Sequence, residues 1–253
     1  MWPSHSSVVV ASIAWLAVGP SGRPAVAQTP RAANPERPTV ATHAYGVAPG
    51  FAELEQGARA FGLDGFRDGT AWEFNLKLGV ARGVQVGVFG AGYLRTAAGN
   101  GVGDLGVSLK LGRALSELSA VALVPAVTLP TGDEARGLGA GRALGSLVAV
   151  YGVDLPAAFH FDLNAGPVGI GAGEVQWFTS VGLARGGTVG IATELFDFTS
   201  GGVGPRQRGF LGAVLVTLAE WAVLDVGGVV GLLPESPDQM FVGLTTNVGR
   251  IFK

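Results

Sequence analysis

Cysteine is absent from the 253 residues, so neither a disulfide framework nor a thiolate metal site can exist. Charge is scarce as well, at 14% against roughly a quarter in ordinary soluble domains, and the formal net charge is only −2. With no basic patch there is no electrostatic footprint for nucleic acid. Histidine occurs only at His5, His43 and His160, and the chain holds no H-E-x-x-H helix or G-x-S-x-G elbow. No catalytic, cofactor-binding or metal-binding residue is therefore assigned. A helical membrane span is missing too: the best window, residues 211–233, is interrupted by Glu220, Asp225 and several glycines.

What remains is grease and glycine. Hydrophobic residues make up 48% of the chain and mean hydropathy is +0.40, too apolar for disorder. The 42 glycines show no G-X-Y period and are spread through apolar stretches. At the start, an apolar run from Val8 to Val18 followed by Ala25, Val26 and Ala27 before Gln28 reads as a signal peptide over residues 1–27 with an A-x-A cleavage site. Its n-region carries His5 but no Lys or Arg. Residues 28–50, whose first part is rich in Pro, Ala and Thr, read as a flexible periplasmic lead-in.

From residue 51 onward the periodicity is two. In TAWEFNLKLGV (70–80), Trp72, Phe74, Leu76, Leu78 and Val80 alternate with Glu73, Asn75, Lys77 and Gly79. In GVGDLGVSLKLGR (101–113), Leu105, Val107, Leu109 and Leu111 alternate with Asp104, Gly106, Ser108, Lys110 and Gly112. A helix would scatter those groups, whereas a strand separates them onto two faces. Residues 159–164, 174–183, 188–195, 224–227 and 242–249 behave alike, while 51–61, 143–154 and 207–219 are less clear by face. The total is about twelve strands of roughly ten residues, the length a tilted strand needs to cross a bilayer. Their connections alternate long and short: GLDGFRDG, AR, RTAAGNGV, RALSE, PTGDEARGLGAGR and onward. That alternation belongs to an outer-membrane barrel, with short periplasmic turns and long outer loops. Phe252 near the C-terminus fits, although Lys253 follows it and Arg250 falls on the apolar face.

The order GVGDLGVSLKLGR (101–113), VPAVTLPTGDE (124–134), a strand from His160 to Asn164 and LDVGGVVGLLPESPD (224–238), preceded by YGVAPGFAELEQGA (45–58), resembles the MetA-pathway of phenol degradation family. Members are Gram-negative outer-membrane barrels described as transporters. The resemblance implies a link to aromatic catabolism without identifying the solute.

The expectation is thus an all-β protein of the bacterial outer membrane: a signal peptide (1–27), a lead-in (28–50), and a transmembrane antiparallel barrel of about twelve strands (51–253). Its partners are outer-membrane lipids, lipopolysaccharide and a small, aromatic or hydrophobic solute; it is read as a channel and not an enzyme. The polar face becomes the lumen, which nominates Glu53, Glu55, Arg59, Glu73, Asn75, Lys77, Gln85, Asp104, Ser108, Lys110, His160, Asp162, Asn164, Glu194 and Asp225. These charges either bias a solute path or pair across strands to hold the wall together, because an unpaired charge in a confined space is costly. Asp133 and Glu134, in the PTGDE turn, are candidates for divalent ions bridging lipopolysaccharide. Trp72, Trp177, Trp221, Tyr93 and Tyr151 suit an interface belt. A non-conducting structural or adhesive barrel is the first alternative. A lipid-modifying enzyme relying on His160 is the second, and a soluble secreted sandwich the third.

Overall fold

The structure is a computed structural model that describes residues 30–253. The expected signal peptide (1–27) and cleavage site at Ala25, Ala27 and Gln28 lie outside the described residues. Twelve long strands close on themselves: β1 (Phe51–Gly62), β2 (Gly69–Ala81), β3 (Val84–Thr96), β5 (Leu105–Ala114), β6 (Ser119–Leu129), β7 (Leu144–Leu155), β8 (Phe159–Val168), β9 (Gln176–Arg185), β10 (Val189–Phe198), β11 (Gln207–Ala219), β12 (Ala222–Gly231) and β13 (Asp238–Arg250). A three-residue strand, β4 (Gly99–Gly101), folds back on the end of β3 within a loop. Each long strand pairs antiparallel with its sequence neighbours, and β1 pairs with both β2 and β13, so no edge is left open. Closure is what a sheet in lipid requires, since every backbone N–H and C=O must find a partner there. The β5–β6 ladder lapses beside Lys110, opposite Pro125, which has no N–H to donate.

The short connections, such as Arg82–Gly83 and Glu220–Trp221, lie at one end, and the long ones, of which 130–143 is the widest, at the other. Outward side chains are apolar and exposed: Leu76, Val88, Val107, Leu183, Ile191 and Val242 are typical. In water each would forgo roughly 1.5–3 kcal/mol of burial, so this surface belongs in hydrocarbon. Trp72, Tyr93 and Trp177 stand exposed near the long-loop end, with Tyr151 and Trp221 near the short-turn end, forming the two aromatic girdles. Among the described residues no helix is long and apolar enough to cross a membrane; the chain crosses with strands. It is an outer-membrane barrel, and its long loops mark the outer face.

One expectation is corrected. Residues 30–50, read from composition as a flexible lead-in, are folded inside the barrel. They pass the periplasmic rim where the Ala33 N–H donates to the Glu220 carbonyl at 2.8 Å, and return to it where the Gly50 N–H donates to the Gly79 carbonyl at 2.8 Å. Between those points Ala41 reaches an apolar cluster of Phe178, Phe196, Leu211, Val229 and Phe241. On the way back Ala44 packs on Ala120, Ala122 and Val150. Gly79 is required by this path, because a Cβ there would run into the Val47 and Ala48 carbonyls.

Candidate functional site

The lumen is built from the inward positions of the strands, and the segment 30–50, hereafter the plug, occupies it. A plug without regular secondary structure carries unpaired backbone groups into a confined space, and these must be satisfied. The wall supplies acceptors and donors separately. Its carboxylates and amide oxygens take the plug's N–H groups. Glu53 Oε2 accepts from the Asn34 N–H at 2.6 Å, and Glu55 Oε1 from those of Glu36 at 2.5 Å and Arg37 at 3.4 Å. Glu194 accepts from Val40 at 2.7 Å and Ala41 at 3.0 Å. Asn164 Oδ1 accepts from Thr42 at 3.3 Å and Gln85 Oε1 from Val47 at 2.9 Å.

The wall's donors take the plug's carbonyls. Lys77 Nζ donates to Asn34 O at 3.1 Å, and Lys110 Nζ to His43 O at 2.8 Å and Tyr45 O at 3.2 Å. Asn247 Nδ2 donates to Pro30 and Ala32 carbonyls near the rim. Recognition of the plug is therefore largely recognition of its main chain.

The charges form a network across the wall and plug. Lys77, fully buried, pairs with Glu53 at 2.6 Å and Glu55 at 2.9 Å, and Lys110 pairs with Glu36. Burial works to raise the Glu36 carboxyl, but the ammonium groups of Lys110 and Lys77 outweigh it and hold it well below the usual range. Arg37 Nε lies 3.5 Å from Asp225 Oδ2. His43 has both ring nitrogens buried with no hydrogen-bond partner, and burial together with Lys110 pushes its pKa down to about 3. Burial and the Asp154 carboxylate, which accepts from the Tyr45 hydroxyl at 3.2 Å, push that phenol up to about 12.

Most of the nominated residues lie on this inner surface. Glu53, Glu55, Lys77, Gln85, Lys110, Asn164, Glu194 and Asp225 are buried against or beside the plug. Arg59 and Glu73 pair with each other, and Arg59 also donates to Gln239 Oε1 at 3.1 Å. Asn75 leaves its Oδ1 buried without a partner, and Ser108 stands inward opposite Gly87. His160 sits between two carboxylates, Asp154 at 2.7 Å and Asp162 at 3.1 Å.

Asp104 is engaged by an outer loop. It precedes β5, and its carboxylate accepts the Gly132 and Ala140 N–H groups at 2.9 and 2.7 Å, tying down the outer loop 130–143. Asp133 is likewise engaged in turn chemistry, capping a short 3-10 turn through the Ala135 N–H.

Sequence reasoning missed the aromatic part of the lumen. Phe178, Phe196 and Phe241 are buried inside, with Phe178 and Phe198 stacked at 4.8 Å between ring centroids. The signal was parity: Phe178 shares a face with Gln176 and Ser180, and Phe196 with Glu194. The lumen thus has carboxylates on β1, β2, β10 and β12 and an aromatic wall at the outer ends of β9 to β13. A cavity of about 170 Å³ remains beside Arg37, Glu55, Glu73, Phe74 and Asn75.

No family model matches the chain, and no curated protein matches it in sequence. The fold does match solved structures. The COG4313 outer membrane channel from Pseudomonas putida F1 is 13% identical over 81% of this chain and 97% of its own, with a TM-score of 0.61. The KdgM porin is 7% identical over 77% of this chain and 98% of its own, at 0.58, and the same porin in complex with disordered oligogalacturonate is 8% identical over the same shares, at 0.57. At such identities the likeness is one of fold, and these neighbours are an outer membrane channel and a porin.

Proposed function

We propose that this protein is an outer-membrane channel for small aromatic or hydrophobic solutes, a member of the MetA-pathway of phenol degradation family, with residues 30–50 as its closing element. The observation that carries the reading is the plug itself: a segment held through its main chain by wall side chains from most of the strands, inside a barrel whose outer half is lined by phenylalanines. A barrel needed only as an anchor would gain more from direct packing of its own side chains than from desolvating so many charges around a separate strand of chain. The aromatic wall favours apolar solutes, and the polar groups opposite would orient a single polar substituent.

The test is current and uptake in planar bilayers and proteoliposomes, comparing the mature chain with a variant lacking residues 30–46. Larger and longer openings in the shortened variant, with faster uptake of a monoaromatic solute than of a sugar of equal mass, are expected. A folded shortened barrel that passes neither ions nor solutes would overturn the reading. The filled interior favours one second reading, a non-conducting structural barrel, and that silent result would establish it.

A further inference from the structure

Resting on the channel reading, we infer that the unplugged lumen is a cation-selective path with a slot for a guanidinium-sized cation at Asp225. Around the plug, the wall carboxylates Glu53, Glu55, Glu73, Glu194 and Asp225 face, among the described residues, three wall cations, Arg59, Lys77 and Lys110. Asp154 and Asp162 flank His160 on the same inner surface. The plug itself carries Arg31 and Arg37 against Glu36, a net positive charge, so its departure deepens the wall's negative excess. The carboxylates stand on β1, β2, β10 and β12, around the lumen, which is how acidic rings select cations.

A second observation is independent of the count: these carboxylates already hold positive groups. The positive ends of five plug peptide dipoles point into Glu53, Glu55 and Glu194. The guanidinium of Arg37 is seated beside Asp225, which is 1% exposed and has no hydrogen-bond partner for either oxygen. Gly57 and Gly243 make the room, since a Cβ on either would run into that guanidinium. When the plug withdraws, it takes Arg37 with it and vacates a slot already shaped for the group. Glu53, Glu55 and Glu194 lose their N–H partners at the same moment and take water and passing cations instead.

The experiment measures reversal potentials of the variant lacking residues 30–46 in planar bilayers under a tenfold KCl gradient at low ionic strength. Ala41→Asp, which sets a carboxylate against Glu194 while keeping every other residue, serves as the second unplugged form should the deletion fail to assemble. The expected K⁺ over Cl⁻ permeability ratio is about 10, the low end of the enrichment that a one-sign cleft produces. The ratio should fall toward 1 when Glu194→Gln and Asp225→Asn are added. Millimolar guanidinium chloride should reduce the K⁺ current of the unplugged form and spare its Asp225→Asn derivative. Open channels with a ratio at or below 1, or block that is unchanged by Asp225→Asn, would overturn this inference alone. Silence from a folded unplugged barrel would overturn the channel reading and this inference with it.

Discussion

Replacing Glu194 by leucine should release the plug at its innermost point. The Glu194 carboxylate is almost fully buried and accepts both the Val40 and Ala41 N–H groups. Hydrogen bonds to a charged acceptor contribute about 1.5–3 kcal/mol each, and a buried donor left unpaired costs about 1–3 kcal/mol. In the withdrawn plug water satisfies the same N–H groups, so the whole loss falls on the docked state. Two lost bonds at the low end of that range weaken docking by about 3 kcal/mol, a shift of about a hundredfold toward the open form. Glu194→Gln keeps an acceptor oxygen for one N–H but turns its amide donor toward the other, so it should fall between wild type and leucine. Open probability in single-channel recordings at neutral pH reads the effect, with heat-modifiable gel migration confirming that both variants fold. A folded leucine variant as closed as wild type would refute the idea that main-chain capture by Glu194 holds the plug.

Acidification should open the channel through His43. Its docked pKa of about 3 lies below its ordinary 6.5, so the withdrawn plug binds more protons between those values and docking weakens as pH falls through that window, by about 2 kcal/mol at pH 5. Glu36, held low, contributes fully above its ordinary value and loses that contribution only in stronger acid, so it adds nothing between pH 5 and 7. His43→Leu should abolish the rise in open probability over that range. Gly79→Val should also favour the open form, because its side chain would strike the Val47 and Ala48 carbonyls; overpacking of this kind costs about 1–3 kcal/mol. In the cysteine-free chain, a single Ala44→Cys should resist dithiodipyridine, which reacts with thiols in acid, at pH 7 and be modified by it at pH 5, as Ala44, on the plug's return path, is buried against Ala120, Ala122 and Val150. Leu109→Lys, on the lipid face, should cost assembly about 2–4 kcal/mol in refolding assays, while Ser108→Lys, facing the lumen, should cost markedly less.

The inward and outward assignment of side chains was legible because it follows from a period of two, and closure removes any alternative face. Leu105, Val107, Leu109 and Leu111 on one side and Ser108 and Lys110 on the other keep that order in the barrel. The partners of Asp104 were not legible because parity says nothing about loops: one position before β5, its carboxylate serves a loop brought back from residues 132 and 140. The inward phenylalanines were overlooked for a related reason. A polar neighbour of the same parity marks the face, but only the barrel's cross-section shows that Phe178, Phe196, Leu211 and Phe241 from separate strands meet in one cluster.

Local pattern by itself determined strand, turn and face, and with them a closed sheet crossing the outer membrane, because alternation and loop length are properties of neighbouring residues. The fate of residues 30–50 was decided only by the tertiary structure. Their composition offers no periodicity, and what orders them is a set of partners 18 to 217 positions away, from Glu53 to Asn247. The plug's main chain has its hydrogen bonds met by a wall that does not exist until the barrel has closed.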